Sequence, residues 1–456
     1  MSYFADDLSM NTNFLQELLL SVFRKTRKLV KKSSIFKIKR FGIQELSESM
    51  MSQKGESSGI MMAKEIIDTY QLLEPKSKLE FFVELAEKFG PSKKKLEVAA
   101  EAYLNEPNVQ QAMALQIAAE PRRQELIRRL NLAPGSTKEL VRMRVDLLEL
   151  IQDHPELTCV DHDFHHLFNS WFNRGFLVLK KIGWDTPASI LEKIIEYEAV
   201  HKIKSWDDLR SRIEPPDRFC FAFFHPALID EPLIFVEVAL ESSIPSSIQS
   251  LLEKNRIPII PERANTAIFY SISNCQKGLR GVTFGNFLIK QVVEELIQDL
   301  PQLKTFVTLS PIPGFRNWLG KEIDNDTLPL KKLNIKVLGQ LENPEWYKLN
   351  QKSQELKKVL LQLASEYLFN ARRKNHEPVD PVARFHLGNG ARLERINWLG
   401  DISKTGIEHS AGMMVNYLYD LDQIEKNHEA FINDKKVIAS NEIRKLANRK
   451  LLQKVA

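Results

Sequence analysis

Residues 267–310 read AIFYSISNCQKGLRGVTFGNFLIKQVVEELIQDLPQLKTFVTLS. The aromatic and β-branched run Ala267–Ser273 predicts a strand. From Asn286 to Asp299 apolar residues recur at helical spacing, at Leu288, Ile289, Val292, Val293, Leu296 and Ile297, and Leu300 completes the stripe. After Pro301, Thr305–Ser310 predicts a second strand. Strand, helix and strand in this order make a β-α-β unit, with parallel strands and a right-handed crossover. The loop CQKGLRGVTFG, Cys275–Gly285, joins the first strand to the helix and carries Gly278, Gly281 and Gly285. Glycines let backbone approach a ligand closely, and the free N–H groups of a helix start attract anions such as a pyrophosphate. Lys277 and Arg280 add positive charge. The same glycines also suit a plain strand-to-helix turn, and spacing alone leaves both readings open. No GK[ST] follows, so the loop is not a Walker motif.

Working outward, Asn13 to about Trp184 carries helical signals, for instance Leu79, Phe82, Val83, Leu85 and Phe89, and six to eight helices are expected. Punctuation falls at Pro121, at Pro134-Gly135 with Ser136 and Thr137 as caps, and at Thr186-Pro187. The polar stretch MMSQKGESSG, Met50–Gly59, reads as a mobile connection. Beyond Pro215 strand runs take over, including Phe219–Phe224, Leu233–Leu240 and Arg392–Trp398. A chain of 456 residues exceeds a single core. An α+β protein of two domains is expected, an all-helical one over residues 1–185 and an α/β one over 186–456.

The net charge of +5 is local: Arg24–Arg40 carries nine basic residues and no acid, which leaves the remainder at −4. Nucleic-acid binding by the whole protein is not indicated. The basic run itself is either a solvated helix face or a contact for a membrane surface or polyanion. Three scattered cysteines, Cys159, Cys220 and Cys275, form neither a disulfide framework nor a zinc site and suit a reducing compartment. Acids at Asp6, Asp7 and Glu17 around the apolar patch Phe14–Phe23 argue against a secretory signal. No apolar run approaches the ~20 residues of a membrane span, so stable membrane insertion is not expected. The ending QKVA is not a peroxisomal address, and a cytoplasmic location is expected.

Candidate chemistry is sparse. Ser310 precedes Pro311 at a strand end, and no GxSxG elbow surrounds it, so no acyl-enzyme is expected. His386 stands two residues before a Gly388-Asn389-Gly390 turn. In an extended reading, Arg384 and His386 share one face, and Phe385 and Leu387 the other. By itself His386 reads as a satisfied surface histidine. His162, His165 and His166 in DHDFHH suit one amphipathic helix better than a metal site, and no metal is expected.

FYSI, GLRG, GNFLIK and LSPIPGF, within about Tyr270–Phe315, resemble the malonyl-CoA decarboxylase family. So do HPALIDEPLIFVEVAL from His225 and RFHLGNGARLERINWLGDISKTGIEHSAGMMVNYLY from Arg384 to Tyr419. The resemblance implies a catalytic domain with the fold of GCN5-related N-acetyltransferases, whose glycine loop grips coenzyme A pyrophosphate. It also implies a helical N-terminal oligomerisation domain and a self-associating enzyme, a homodimer or homotetramer. The implied reaction turns malonyl-CoA into acetyl-CoA and carbon dioxide without a cofactor.

Carried over by position, the resemblance makes Ser310 and His386 catalytic and Ser271 and Tyr419 supporting. It assigns Arg280, Gly281, Val282, Thr283, Phe284, Gly285 and Asn286 to acyl-CoA contact. Thr283 departs from the pattern, since animal members carry an acid there. A histidine of ordinary pKa, about 6.5, suits proton donation to C2 near neutral pH, with Ser310 positioning or relaying. Two other functions use the same features: a CoA-dependent N-acyltransferase on this fold, and a helical scaffold with an inactive CoA-binding module.

Overall fold

A computed structural model describes residues 42–52, 55–282, 284, 288–325, 336–343 and 345–448. The patch Phe14–Phe23, the basic run Arg24–Arg40, the C-terminal QKVA, and Thr283, Gly285 and Asn286 lie outside the described residues. The chain forms two compact units. One runs to Val178 and takes in Phe224–Glu231 and Gln276–Phe284; the other holds Leu179–Phe223, Pro232–Cys275 and the chain from Gly285 onward.

The first unit contains eight α-helices among the described residues, at Ile43–Ser52, Glu56–Gln71, Pro75–Glu87, Lys93–Asn105, Val109–Ala119, Arg122–Leu130, Ser136–Leu150 and Thr158–Trp171. Of the predicted stripe, Phe82, Leu85 and Phe89 are sealed from solvent and Leu79 and Val83 are half-buried. Phe164, Phe168 and Phe172, at i, i+4 spacing, pack edge to face with ring centroids 5.6 and 5.7 Å apart. Two readings need correction. Within Met50–Gly59 the described residues are largely helical: helices Ile43–Ser52 and Glu56–Gln71 take both ends, and Met50 is fully buried. Ser136 and Thr137 do not cap; the helix starts after Gly135 without a side-chain cap, and the Thr137 hydroxyl donates to Asn131 Oδ1 at 2.7 Å.

In the second unit the described strands form one mixed sheet, ordered β1-β2-β3-β4-β5-β8-β6 with β7 paired to β8. The strands are β1 Val178–Ile182, β2 Arg218–Phe224, β3 Pro232–Glu241, β4 Thr266–Asn274, β5 Thr305–Thr308, β6 Ser310–Pro311, β7 Arg392–Asn397 and β8 Met414–Leu418. Two were not expected: β1, inside the stretch read as helical, and β8. All seven residues of β2 are buried, as in a strand covered on both faces.

The β-α-β unit is present. β4 and β5 pair in parallel from Thr266↔Thr305 to Phe269↔Thr308, and helix Leu288–Asp299 links them, with Leu288, Ile289, Val292, Val293 and Leu296 buried. β3 and β4 pair antiparallel, but the register passes from Glu237↔Ser271 to Val238↔Phe269, so Tyr270 is an extra, bulged residue. The expected strand Thr305–Ser310 breaks at Leu309. Ser310 and Pro311 instead pair with Val415 and Met414 at the end of the sheet order, where a proline without N–H is tolerated. Ala239, Ile268, Tyr270, Val307, Leu309 and Met414 share one core cluster. A helical region followed by a region built on a mixed sheet is thus the architecture that the sequence predicts.

Candidate active site

His386 sits in a helix, Pro381–Gly388, and not in the extended segment expected. Asp380 decides this: its Oδ1 accepts from the Ala383 N–H at 2.8 Å as an N-cap, and Pro381 at the first helical position is already bent for a helix. Arg384 and His386 therefore do not share a face. Arg384 turns back to donate to the carbonyls of Pro378 and Val379, at 2.7 and 2.8 Å. Asp380 is buried, and its Oδ2 accepts from the Tyr367 hydroxyl at 3.2 Å. Burial raises the Asp380 carboxyl to about 6.

The strand break at Leu309 brings Ser310 to this helix. Ser310 and His386 are only 6% and 3% exposed, and Oγ lies 3.1 Å from Nε2. Ser310 Oγ also donates to Thr308 Oγ1 at 2.9 Å, and that same oxygen accepts from the Tyr417 N–H at 3.1 Å. On the far side of the imidazole, Nδ1 lies 2.8 Å from the buried Tyr419 hydroxyl. One tautomer satisfies this chain. Ser310 spends its only hydrogen on Thr308, so Nε2 must donate to Ser310, and Tyr419 must donate to Nδ1. The opposite tautomer would leave the buried Tyr419 O–H with no acceptor.

The imidazole stacks on Tyr417, with centroids 4.6 Å apart, and burial pushes its pKa down to about 3. His386 is therefore neutral near pH 7, contrary to the ordinary pKa expected of it. Ser310 and His386 open on a cavity of about 230 Å³ walled by Val200, Ile272, Val382 and Phe385, with Asn274 as a further polar residue. No lysine or arginine is among the described residues of its wall.

Ser271 is placed elsewhere. Its hydroxyl donates to both carboxylate oxygens of buried Glu198, at 2.8 and 2.7 Å, and Glu198 also accepts from the N–H groups of Val200 and His201. The glycine loop belongs to the helical unit. A Cβ on Gly278 would stand 1.9 Å from the Val141 carbonyl oxygen, so only glycine fits, and Gly281 has a left-handed φ of 85°. Arg144 Nη1 donates to the carbonyls of Gly278 and Arg280 at 2.8 and 2.9 Å. His165 Nε2 lies 3.0 Å from the Gly281 carbonyl. Among the described residues, no group of three His, Cys, Asp or Glu is arranged for a metal.

A family model described as the malonyl-CoA decarboxylase C-terminal domain matches residues 175–455, and one described as the N-terminal domain matches 89–172. The chain belongs to the malonyl-CoA decarboxylase family. The mitochondrial malonyl-CoA decarboxylase of Anser anser anser is 39% identical over 355 residues, covering 71% of this chain and 69% of that one. Among solved structures, malonyl-CoA decarboxylase from Rhodopseudomonas palustris superposes with a TM-score of 0.86 at 53% identity, over 88% of this chain and 98% of that one. The Agrobacterium vitis enzyme does so with a TM-score of 0.85 at 51% identity, over 89% and 100%.

Of the residues nominated by likeness to the malonyl-CoA decarboxylase family, the structure brings Ser310, His386 and Tyr419 into one hydrogen-bonded chain and separates Ser271 from it. Arg280, Gly281, Val282 and Phe284 are described within the loop. Sequence reading missed Thr308, although strand alternation puts residues 308 and 310 on one face. It also missed Asp380, although Asp-Pro before VARF is a helix-start signature.

Proposed function

We propose that this chain removes the carboxylate of malonyl-CoA at the Ser310–His386 pair, giving acetyl-CoA and carbon dioxide. The observation that carries this is a hydrogen-bonded serine–histidine pair facing a cavity wall with no lysine or arginine among its described residues. A carboxylate held there gains no ion pair from the described wall in the ground state, whereas charge moving onto the thioester oxygen can meet the Asn274 amide N–H and a Ser310 O–H that turns away from Thr308. The C2–carboxyl bond breaks, its electron pair enters the thioester enolate, and carbon dioxide leaves. C2 then takes one proton. An arriving malonyl group raises the proton affinity of the buried imidazole, so His386 binds that proton with the substrate and delivers it, with Ser310 positioning or relaying. Tyr419 orients the ring.

Arg280, Gly281, Val282, Thr283, Phe284, Gly285 and Asn286 are assigned to acyl-CoA contact, in keeping with the tight turn that Gly278 and Gly281 make. Residues 1–185 are assigned to self-association, as a dimer or tetramer. Helices Lys93–Asn105 and Val109–Ala119 bury no side chain and expose Leu104, Val109, Met113 and Ile117. Residues 186–456 are then the catalytic domain. No described helix is long and apolar enough to cross a membrane. Cys159, Cys220 and Cys275 form no disulfide among the described residues, and the cytoplasm is the proposed location.

The test is release of carbon dioxide and acetyl-CoA from malonyl-CoA by the purified chain, beside Ser310→Ala and His386→Ala. Stoichiometric products, lost in both folded variants, are expected. Acetyl transfer to amines without carbon dioxide release would replace this reading with an acyltransferase.

A further inference from the structure

Tyr270, which lines the Ser310–His386 cavity, also lines a second one of about 120 Å³ that the proposed reaction does not use. Four cations face this second space, Arg212, Arg218, Lys254 and Arg256, against one wall acid, Glu253. The carboxylates behind them are already occupied. Asp217 receives both Nη atoms of Arg256, at 2.6 and 2.9 Å, and the Ile259 N–H at 2.9 Å. That leaves Arg218 with the carbonyls of Asp217 and Leu251, each at 3.0 Å, and Asp217 Oδ2 only at 3.4 Å.

Arg212 pairs with Asp208 at 3.2 Å and with Glu237, whose carboxyl burial raises to about 8. Burial lowers the pKa of Arg218 below the usual range, and Arg256 adds to this while the carboxylates of Asp217 and Glu241 oppose it. The Tyr270 hydroxyl is sealed from solvent and has no hydrogen-bond partner among the described residues. Three guanidinium groups and an O–H donor with no partner among the described residues line the same space. At ~30 Å³ per water the space holds roughly four waters, too few for a nucleotide.

We propose that this cavity binds one small free oxyanion of inorganic-phosphate size, held by Arg218, Arg256 and Lys254 and taking a hydrogen bond from the Tyr270 hydroxyl. The assignment is independent of the decarboxylation chemistry. Its test is calorimetric titration of the full chain with inorganic phosphate, at an ionic strength matched with chloride. Because the glycine loop is the competing place for phosphate, Arg280→Ala is run alongside Tyr270→Phe and the exposed Lys254→Ala. One-site binding is expected in the parent and in Arg280→Ala, weakened about fivefold in Tyr270→Phe and Lys254→Ala, each of which removes one donor. Phosphate heats no different from chloride overturn the proposal. So does binding lost in Arg280→Ala and kept in the other two. Phosphoethanolamine binding as tightly as phosphate overturns the free-ion assignment.

Discussion

The hydroxyl of Tyr419 stands 2.8 Å from Nδ1 of His386, on the side of the ring opposite Ser310. Both groups are buried, so the contact fixes which ring nitrogen carries hydrogen and aims an Nε2–H at Ser310.

Tyr419→Phe keeps the ring and deletes that donor. An unpaired buried Nδ1 costs ~1–3 kcal/mol, which corresponds to roughly ten- to hundredfold in rate when the wrong tautomer must be corrected in each turnover. We expect kcat to fall within that range with KM nearly unchanged. Nitrogen NMR of labelled histidine would show the tautomer change, and an unaltered spectrum would refute the orienting role.

Stability should decline in mild acid. The unfolded histidine takes up a proton near pH 6.5, while folded His386 resists it down to about 3. Between these values the unfolded state binds more protons, so stability falls as pH falls, by ~1.4 kcal/mol per unit for this one group. His201, also pushed down by burial, to about 4, acts in the same direction. Urea unfolding at pH 7 and 5.5 should therefore show a smaller loss for His386→Gln than for the parent. Equal losses would place His386 in contact with water.

Glu237 has the opposite sign. Burial, then the neighbouring Glu198 charge, raises its carboxyl to about 8, so the folded state holds a proton that the unfolded chain releases near 4.5. Stability from this group is complete below 4.5 and lost as pH rises through 8. Glu237→Gln, which cannot ionise, should melt close to the parent at pH 5 and above it at pH 9 in scanning calorimetry.

Gly278→Ala drives a methyl into the Val141 carbonyl, a backbone atom unable to step aside, and should cost ~3 kcal/mol or more. Gly281→Ala meets the His165 ring only at 3.6 Å and bears chiefly the left-handed φ, ~1–2 kcal/mol. Chemical denaturation of the two variants should rank them in that order.

The β-α-β unit was legible because its apolar period, turn residues and proline all agree, and its helix buries the stripe that the spacing marks. β1 was not, since Val178–Ile182 is five residues with two lysines, and its pairing with β2 is a long-range contact that local pattern cannot carry. The environment of His386 was hidden for a similar reason. Asp380 and Pro381 announce the helix, but the ring's burial comes from Tyr417 and Tyr419, more than thirty residues away. Ser271 looked equivalent to Tyr419 by resemblance alone. Only the position of Glu198, set by the end of another helix, separates them.

The loop Gln276–Phe284 lies between a strand and a helix of the sheet-bearing unit in sequence, yet its packing partners, Val141, Arg144 and His165, are helical-unit residues. The two regions are consequently not interchangeable cassettes. A hybrid that grafts the helical region of one homologue onto the sheet of another must carry loop and helices over as a matched set, and drift at position 141 or 144 is answerable to drift in a segment more than a hundred residues downstream.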